Sequence, residues 1–164
     1  MLFNDLFREA YRTVLVKGSD EPEYLPASDP EGLAQVVFAH GYYASALHEI
    51  SHWCIAGEHR RTLHDYGYWY CPDGRTAAEQ QKFQSVEIKP QAIEWALSFA
   101  AGLRFQVTCA NLSGEELAQQ PDRLAFEKQI LDQIQVHLDN GYQPRYQLFI
   151  EYLEAFYIHS TYDY

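Results

Sequence analysis

Apolar and polar residues recur along this chain with two periods, and the periods mark out its elements. Phe3, Leu6, Phe7 and Tyr11 stand at helical spacing, which predicts a short amphipathic helix over residues 3–12. "TVLVKG" reads as a strand closed by Gly18, and "AQVVFAHG" as a buried strand of β-branched and aromatic residues. Between them, "SDEPEYLPASDPEG" holds three prolines and five acids and is expected to be a loop. A helix is predicted from about residue 41 to 56, with Gly57 as its stop. Tyr43, Leu47, Ile50 and Cys54 fall at i, i+4, i+7 and i+11 of this helix and form its expected core face.

Downstream, "YGYWYCPDG" reads as an aromatic strand ending in a Pro-Asp-Gly turn, and "TAAEQQKF" as a short helix or turn. "QSVEIKPQAIEWALSFAAGL" suggests a brief extended piece leading into a helix, with Pro90 in the first turn. Two more helices are predicted, at about 121–138 and 145–158. The second carries Phe149, Tyr152, Leu153, Phe156 and Tyr157 as a core-facing stripe. Early strands succeeded by helices predict an α+β fold, with a small β-sheet packed against several helices.

Composition narrows the classes. With 164 residues and 47% hydrophobic content the chain suits one domain with its own core. A net charge of −11 argues against a phosphate-backbone partner and favours a cationic one. No apolar run approaches the roughly 18 residues that cross a bilayer. "MLFNDLFREAYRTVLVKG" lacks the basic and continuous apolar regions of a signal peptide, so a cytoplasmic protein is expected, with neither membrane nor direct nucleic-acid contact. Cys54, Cys71 and Cys109 are too widely spaced for a C-x-x-C pair and are read as reduced thiols.

The chemistry is concentrated in His48-Glu49-Ile50-Ser51-His52, an H-E-x-x-H pentapeptide on the predicted helix. Roughly 0.025 chance occurrences are expected in a chain with this many His and Glu residues. Positions i and i+4 lie one turn apart, so His48 and His52 can aim two imidazoles at one ion, with Glu49 beside them. Cys54 belongs to the opposite, apolar face. A third ligand is needed. The extended H-E-x-x-H-x-x-G-x-x-H pattern fails, because Ile55 and Glu58 stand where Gly and His would be. Glu58 is a weak candidate. Glu87, Gln91, Glu94 and Ser98 share one stripe of the later helix, opposite Ile93, Ala96, Leu97 and Ala100. Glu87 is the preferred third ligand, with Glu94 as the alternative. His40, at a strand end leading into the metal helix, is a candidate catalytic or substrate group. From the motif alone the reaction is that of a zinc peptidase, with Glu49 as the base that deprotonates metal-bound water.

Three segments change that expectation. "VFAHGYYASALHEISHWCIAGEHRR", "YGYWYCPDGR" and "VEIKPQAIEWALSFAAG" closely resemble the bacterial elongation factor P hydroxylase family. The likeness runs from about Gly18 to at least Asn111 and continues more weakly through the C-terminal helices. The resemblance implies a metallopeptidase-like fold and a metal-dependent hydroxylase (monooxygenase-type) acting on the β-lysylated lysine of translation elongation factor P. It further implies a two-His-one-carboxylate site, carried over to His48, His52 and, by preference, Glu87. Such a set leaves open positions on Fe(II) for O₂; Zn²⁺ is the ion of the peptidase alternative. The substrate side chain bears ammonium groups, which an acidic, aromatic groove would suit. Tyr42, Tyr43, Asp65, Tyr66, Tyr68 and Trp69 are candidates to line it, with Gln91 as a further substrate contact.

Overall fold

A computed structural model of the chain describes residues 1–68, 76–108 and 120–161, the side chains at 120–122 and 159–161 excepted. The elements are α1 (Leu2–Tyr11), β1 (Thr13–Lys17), β2 (Glu23–Leu25), β3 (Ala34–Phe38), α2 (Tyr43–Ile55), α3 (Ala77–Ala100), α4 (Gln120–Asn140) and α5 (Pro144–Thr161). Two short 3₁₀ turns, Arg60–Thr62 and His64–Gly67, lie between α2 and α3. The fold is α+β, as the hydrophobic pattern predicts.

The strands form one sheet in the order β1-β3-β2. β1 runs parallel to β3, with Leu15 opposite Val36, and β2 runs antiparallel to it, with Tyr24 opposite Val36. β2 is a correction to the expected loop. Proline and acid content hid three residues whose central side chain, Tyr24, is buried. The Tyr24 amide donates to Asp65 Oδ1 at 2.8 Å and its hydroxyl donates to the Arg61 carbonyl at 2.8 Å. Long-range partners that no local pattern encodes therefore hold this edge.

The main core lies between the sheet, α1, α2, α3 and α5. Phe3 and Phe7 sit one turn apart on α1 and press on Trp53 of α2, with ring centroids 5.1 and 4.9 Å away, and on Phe149 of α5, each at 6.0 Å. Trp53 and Cys54 are fully buried, so the inner face of α2 is shut off from solvent. A second small cluster, Ala92, Val107, Phe126 and Ile130, ties α3 to α4.

α2 starts later than expected because His40 and Gly41 both take positive φ, 56° and 68°, and turn the chain before it. Gly41 is required there twice over: a Cβ would also meet Lys17 Cε at 2.7 Å. The core face of α2 needs one correction. Leu47, Ile50 and Cys54 are buried, but Tyr43 is 45% exposed and shares a hydroxyl–hydroxyl hydrogen bond of 3.0 Å with Tyr157. It is the first residue of α2, where the helix has only begun.

α3 holds the largest departure. The extended piece expected before Pro90 is helical, and Pro90 sits in the helix interior. The Thr76–Glu79 capping box starts the helix well upstream of Pro90, with the Glu79 amide donating to Thr76 Oγ1 and Glu79 Oε2 accepting from the Thr76 amide. Pro90 removes the bond that its amide would give to Val86, but Glu87, Pro90, Gln91, Glu94 and Ser98 are all buried against neighbouring elements, and packing carries the helix through. The expected aromatic strand is also corrected where it is described: Tyr66 and Gly67 belong to a 3₁₀ turn with left-handed backbone. Tyr68 follows in extended backbone, and the rest of the segment, residues 69–74 with Trp69 and Cys71, lies outside the described residues, as does Cys109.

Candidate metal centre

α2 and α3 pack side by side, and their facing polar residues meet. His48 and His52 stand one turn apart on α2; Glu87 and Glu94 stand two turns apart on α3. His52 Nε2 is 3.2 Å from His48 Nε2 and 3.1 Å from Glu87 Oε1, and His48 Nε2 is 3.8 Å from Glu87 Oε2. Ligands about 2.0–2.2 Å from one ion stand roughly 3.0–3.5 Å apart when they occupy neighbouring coordination positions. His48, His52 and Glu87 thus form a set that could hold a metal ion through two imidazoles and a carboxylate. Their chemistry fits as well: borderline nitrogen donors with a hard oxygen suit zinc and ferrous iron alike.

Glu94 falls on the other side of the imidazole. Its Oε2 is 2.7 Å from His48 Nδ1, the nitrogen turned away from His52 and Glu87. A hydrogen on Nδ1 donated to Glu94 leaves the Nε2 lone pair directed into the cluster. Gln91, one turn from Glu87, has its amide engaged with the backbone of Thr108: Nε2 donates to the carbonyl at 2.7 Å and Oε1 accepts from the amide at 3.0 Å. It also supports Glu87 by hydrogen bonding.

The charges respond to one another. Burial pulls the His48 pKa down, but the Glu94 hydrogen bond and the charges of Glu87, Glu94 and Glu49 outweigh it and raise it to about 10. For Glu87, burial works to raise the pKa, while the charge and hydrogen bond of His52 and the charge of His48 hold it down to about 2. Burial raises the pKa of Glu49, partly offset by His48 and His52. In the metal-free state the cluster is therefore a hydrogen-bonded network of protonated imidazole and carboxylate.

The other predicted residues divide. Tyr68 lines a cavity of about 480 Å³ that opens beside His52. Asp65 lies close enough to act on Glu49 electrostatically, while its Oδ1 is engaged by the Tyr24 amide. Tyr42 is 69% exposed at the N-terminus of α2. His40 is exposed and is not among the residues whose ligating atoms converge; its ring lies 6.1 Å from that of Tyr42. Two residues gave no sequence signal. Arg145 of α5, buried, donates to the Trp53 carbonyl and, at 2.6 Å, to the Ala56 carbonyl, and Arg61 donates to Ala56 at 2.8 Å. Together they satisfy the C-terminal carbonyls of the helix that carries both histidines. The sequence spacing of 89 residues between Arg145 and Ala56 gives no hint of this contact.

The α+β scaffold brings two helix-borne imidazoles and a buried carboxylate to one point, where they could hold a metal ion. Comparison with known proteins makes the class specific. The family of elongation factor P hydroxylases (EpmC) matches over residues 2–164, so the chain belongs to that family. An elongation factor P lysine hydroxylase from Haemophilus influenzae is 46% identical over 162 residues, covering 99% of this chain and 88% of the relative. Among the described residues no helix is long and apolar enough to cross a membrane.

Proposed function

We propose that residues 1–164 act as a single catalytic domain that hydroxylates the β-lysylated lysine of translation elongation factor P in the cytoplasm, using Fe(II) and O₂. The observation that carries this reading is the convergence of His48, His52 and Glu87 in a chain of the hydroxylase family. Bound there, ferrous iron would supply the activation of O₂ toward an unactivated C–H bond, a reaction no protein side chain performs alone. One oxygen atom enters the C–H bond; the other leaves as water, with two electrons and two protons from a reductant.

The residues have separate tasks. His48 and His52 bind through Nε2 and Glu87 through its carboxylate. Glu94, the alternative third ligand expected from the sequence, instead keeps the Nδ1 proton on His48 and fixes that ring. Gln91 orients Glu87, and so acts on the site from behind rather than by gripping the substrate. Glu49 stands beside the site, and burial raises its pKa above the ordinary carboxylate range. Tyr42, Asp65 and Tyr68 contact the cationic substrate, and His40 serves at its approach.

The zinc-peptidase alternative rests on the H-E-x-x-H pentapeptide and makes Glu49 an ionised base. Membership of a hydroxylase family weighs against it. Protein reconstituted anaerobically with Fe(II), then given O₂, a reductant and β-lysylated elongation factor P, adds about 16 Da, one oxygen atom, to the substrate. His48→Ala abolishes the gain. Metal-dependent peptide cleavage without oxygen would sink the hydroxylase reading, and Zn²⁺-loaded protein serves as the control.

A further inference from the structure

The cavity beside His52 is walled by Ile55, Ala56, Val86 and Pro90, and so by the C-terminal end of α2 and the stretch of α3 that flanks Glu87. At about 480 Å³ it falls within the range of small-ligand sites. Apolar side chains make up much of its wall, with Glu58, His59 and Arg60 also lining it, and one buried polar group belongs to it. Tyr66 is 5% exposed, and its hydroxyl finds no hydrogen-bond partner among the described residues. Such a group is costly to keep unless something arrives to pair with it.

The backbone makes the same point independently. Asp65 and Tyr66 have φ of 47° and 59°, and Gly67 comes next at 75°. Two consecutive non-glycine residues in the left-handed region, one of them bulky, are strained, and such strain persists only where surrounding contacts impose it. Those contacts are present: Asp65 Oδ1 accepts from the Tyr24 amide, Arg60 donates to the Tyr66 carbonyl at 3.0 Å, and the Tyr24 and Tyr66 rings stack at 4.2 Å with an interplanar angle of 15°. A core aromatic would need none of this. The turn delivers one phenol to a cavity shared with a metal-binding histidine.

We infer that this cavity receives the substrate's side chain, an alkyl stem ending in an ammonium, and that the Tyr66 hydroxyl is its buried polar contact. The inference rests on the hydroxylase reading above. The stem's methylenes lie against the apolar walls and pass His52, which sets a C–H bond beside the metal ligands. The ammonium donates to Tyr66 Oη. Burial, with the negative charge of Glu49 second, keeps that phenol protonated and neutral, so its oxygen remains an acceptor. Arg60, the cation of the cavity wall, is turned onto the Tyr68 ring, 4.1 Å from its centroid, and onto the Tyr66 carbonyl.

Two variants test this without touching a metal ligand. Tyr66→Phe removes the hydroxyl. Gly57→Leu fills the cavity, since Gly57 lines it, has no positive φ, and a Cβ there meets nothing within 4 Å. For each, the Tm, Co²⁺ binding by absorption, and the KM for β-lysylated elongation factor P are measured. Tyr66→Phe keeps its Tm and Co²⁺ spectrum, because no protein partner is left unpaired, while its KM rises about tenfold or more. Gly57→Leu keeps both and loses saturable turnover. A wild-type KM in Gly57→Leu overturns the cavity assignment; a wild-type KM or a lowered Tm in Tyr66→Phe overturns the phenol contact. If the wild-type protein itself adds no oxygen to the β-lysylated factor, it is the hydroxylase reading that fails. If either variant does not fold, the other decides.

Discussion

His48 Nδ1 and Glu94 Oε2 stand 2.7 Å apart across the α2–α3 interface. A helix–helix contact thereby becomes a choice of tautomer, because the imidazole whose Nδ1–H is held by a carboxylate has its lone pair on Nε2, where His52 and Glu87 converge. The prediction concerns affinity. Glu94→Ala weakens metal binding about 10- to 100-fold, and Glu94→Gln, which can still accept the Nδ1 hydrogen bond, recovers part of the loss. Glu87→Ala, by removing a ligand, costs more than either. Calorimetric titration with Zn²⁺ ranks the three, and equal losses for Glu94→Ala and Glu87→Ala would make Glu94 a ligand.

The pKa shifts in the cluster fix the pH behaviour of the metal-free chain. His48 rises from 6.5 to about 10, so its protonated form stabilises the fold fully below about pH 6.5, and that contribution fades as pH climbs through about 10. Glu87 falls from 4.5 to about 2, so its contribution is present above about pH 4.5 and is lost as pH drops through about 2. Melting temperatures in the presence of a chelator should decline from pH 7 to 10, and His48→Gln should flatten that decline. Metal binding runs the other way. The ion must displace the His48 proton, so apparent affinity rises about tenfold per pH unit below pH 10. A pH-independent affinity between 7 and 9 would show that His48 is already neutral.

The spacing of the candidate site's residues was legible in the sequence, because one helical period sets it on both α2 and α3. The i, i+4 spacing of His48 and His52 survives into the structure, and so does the stripe of Glu87, Gln91 and Glu94 on α3. What the pattern could not carry were features set by distant residues. Pro90 reads locally as a helix start, yet the capping box at Thr76 places it deep within α3. Tyr24 reads as part of a polar loop, yet Asp65 and Arg61 make it a strand residue. Which imidazole nitrogen Glu87 and Glu94 each face is a matter of interhelical geometry that no sequence spacing carries.

Glu49 separates the two chemistries by stability as well as by rate. Its raised pKa means that its burial stabilises the fold while protonated, and that this is lost as pH rises from 4.5 through the raised value. Above that range the ionised carboxylate is a burden the isosteric amide lacks. Glu49→Gln should therefore melt higher than the wild type at pH 8, retain its metal, and slow hydroxylation by no more than about 100-fold, the scale of a lost proton-transfer group. A lower Tm, or loss of metal, would mean that the Glu49 carboxylate is itself part of the coordination shell.

The last prediction concerns the helix beneath the site. Arg145 reaches from α5 to the Trp53 and Ala56 carbonyls and lays its guanidinium 4.6 Å from the centre of the Trp53 ring. Trp53 is the residue after His52, so the same contacts that end α2 also hold the second histidine in place. Arg145→Met keeps the aliphatic bulk but leaves two carbonyls without their charged donor, at about 1.5–3 kcal/mol for each hydrogen bond lost. Arg61 still serves Ala56, so Trp53 bears most of the loss. The expected result is a fall of about 3 kcal/mol in unfolding free energy by urea denaturation, with metal affinity reduced less than in Glu94→Ala. Arg145→Lys should recover little, because one ammonium cannot span both carbonyls and stack on the indole at once. Unchanged stability in Arg145→Met would show that solvent replaces the guanidinium and that α2 terminates without help from α5.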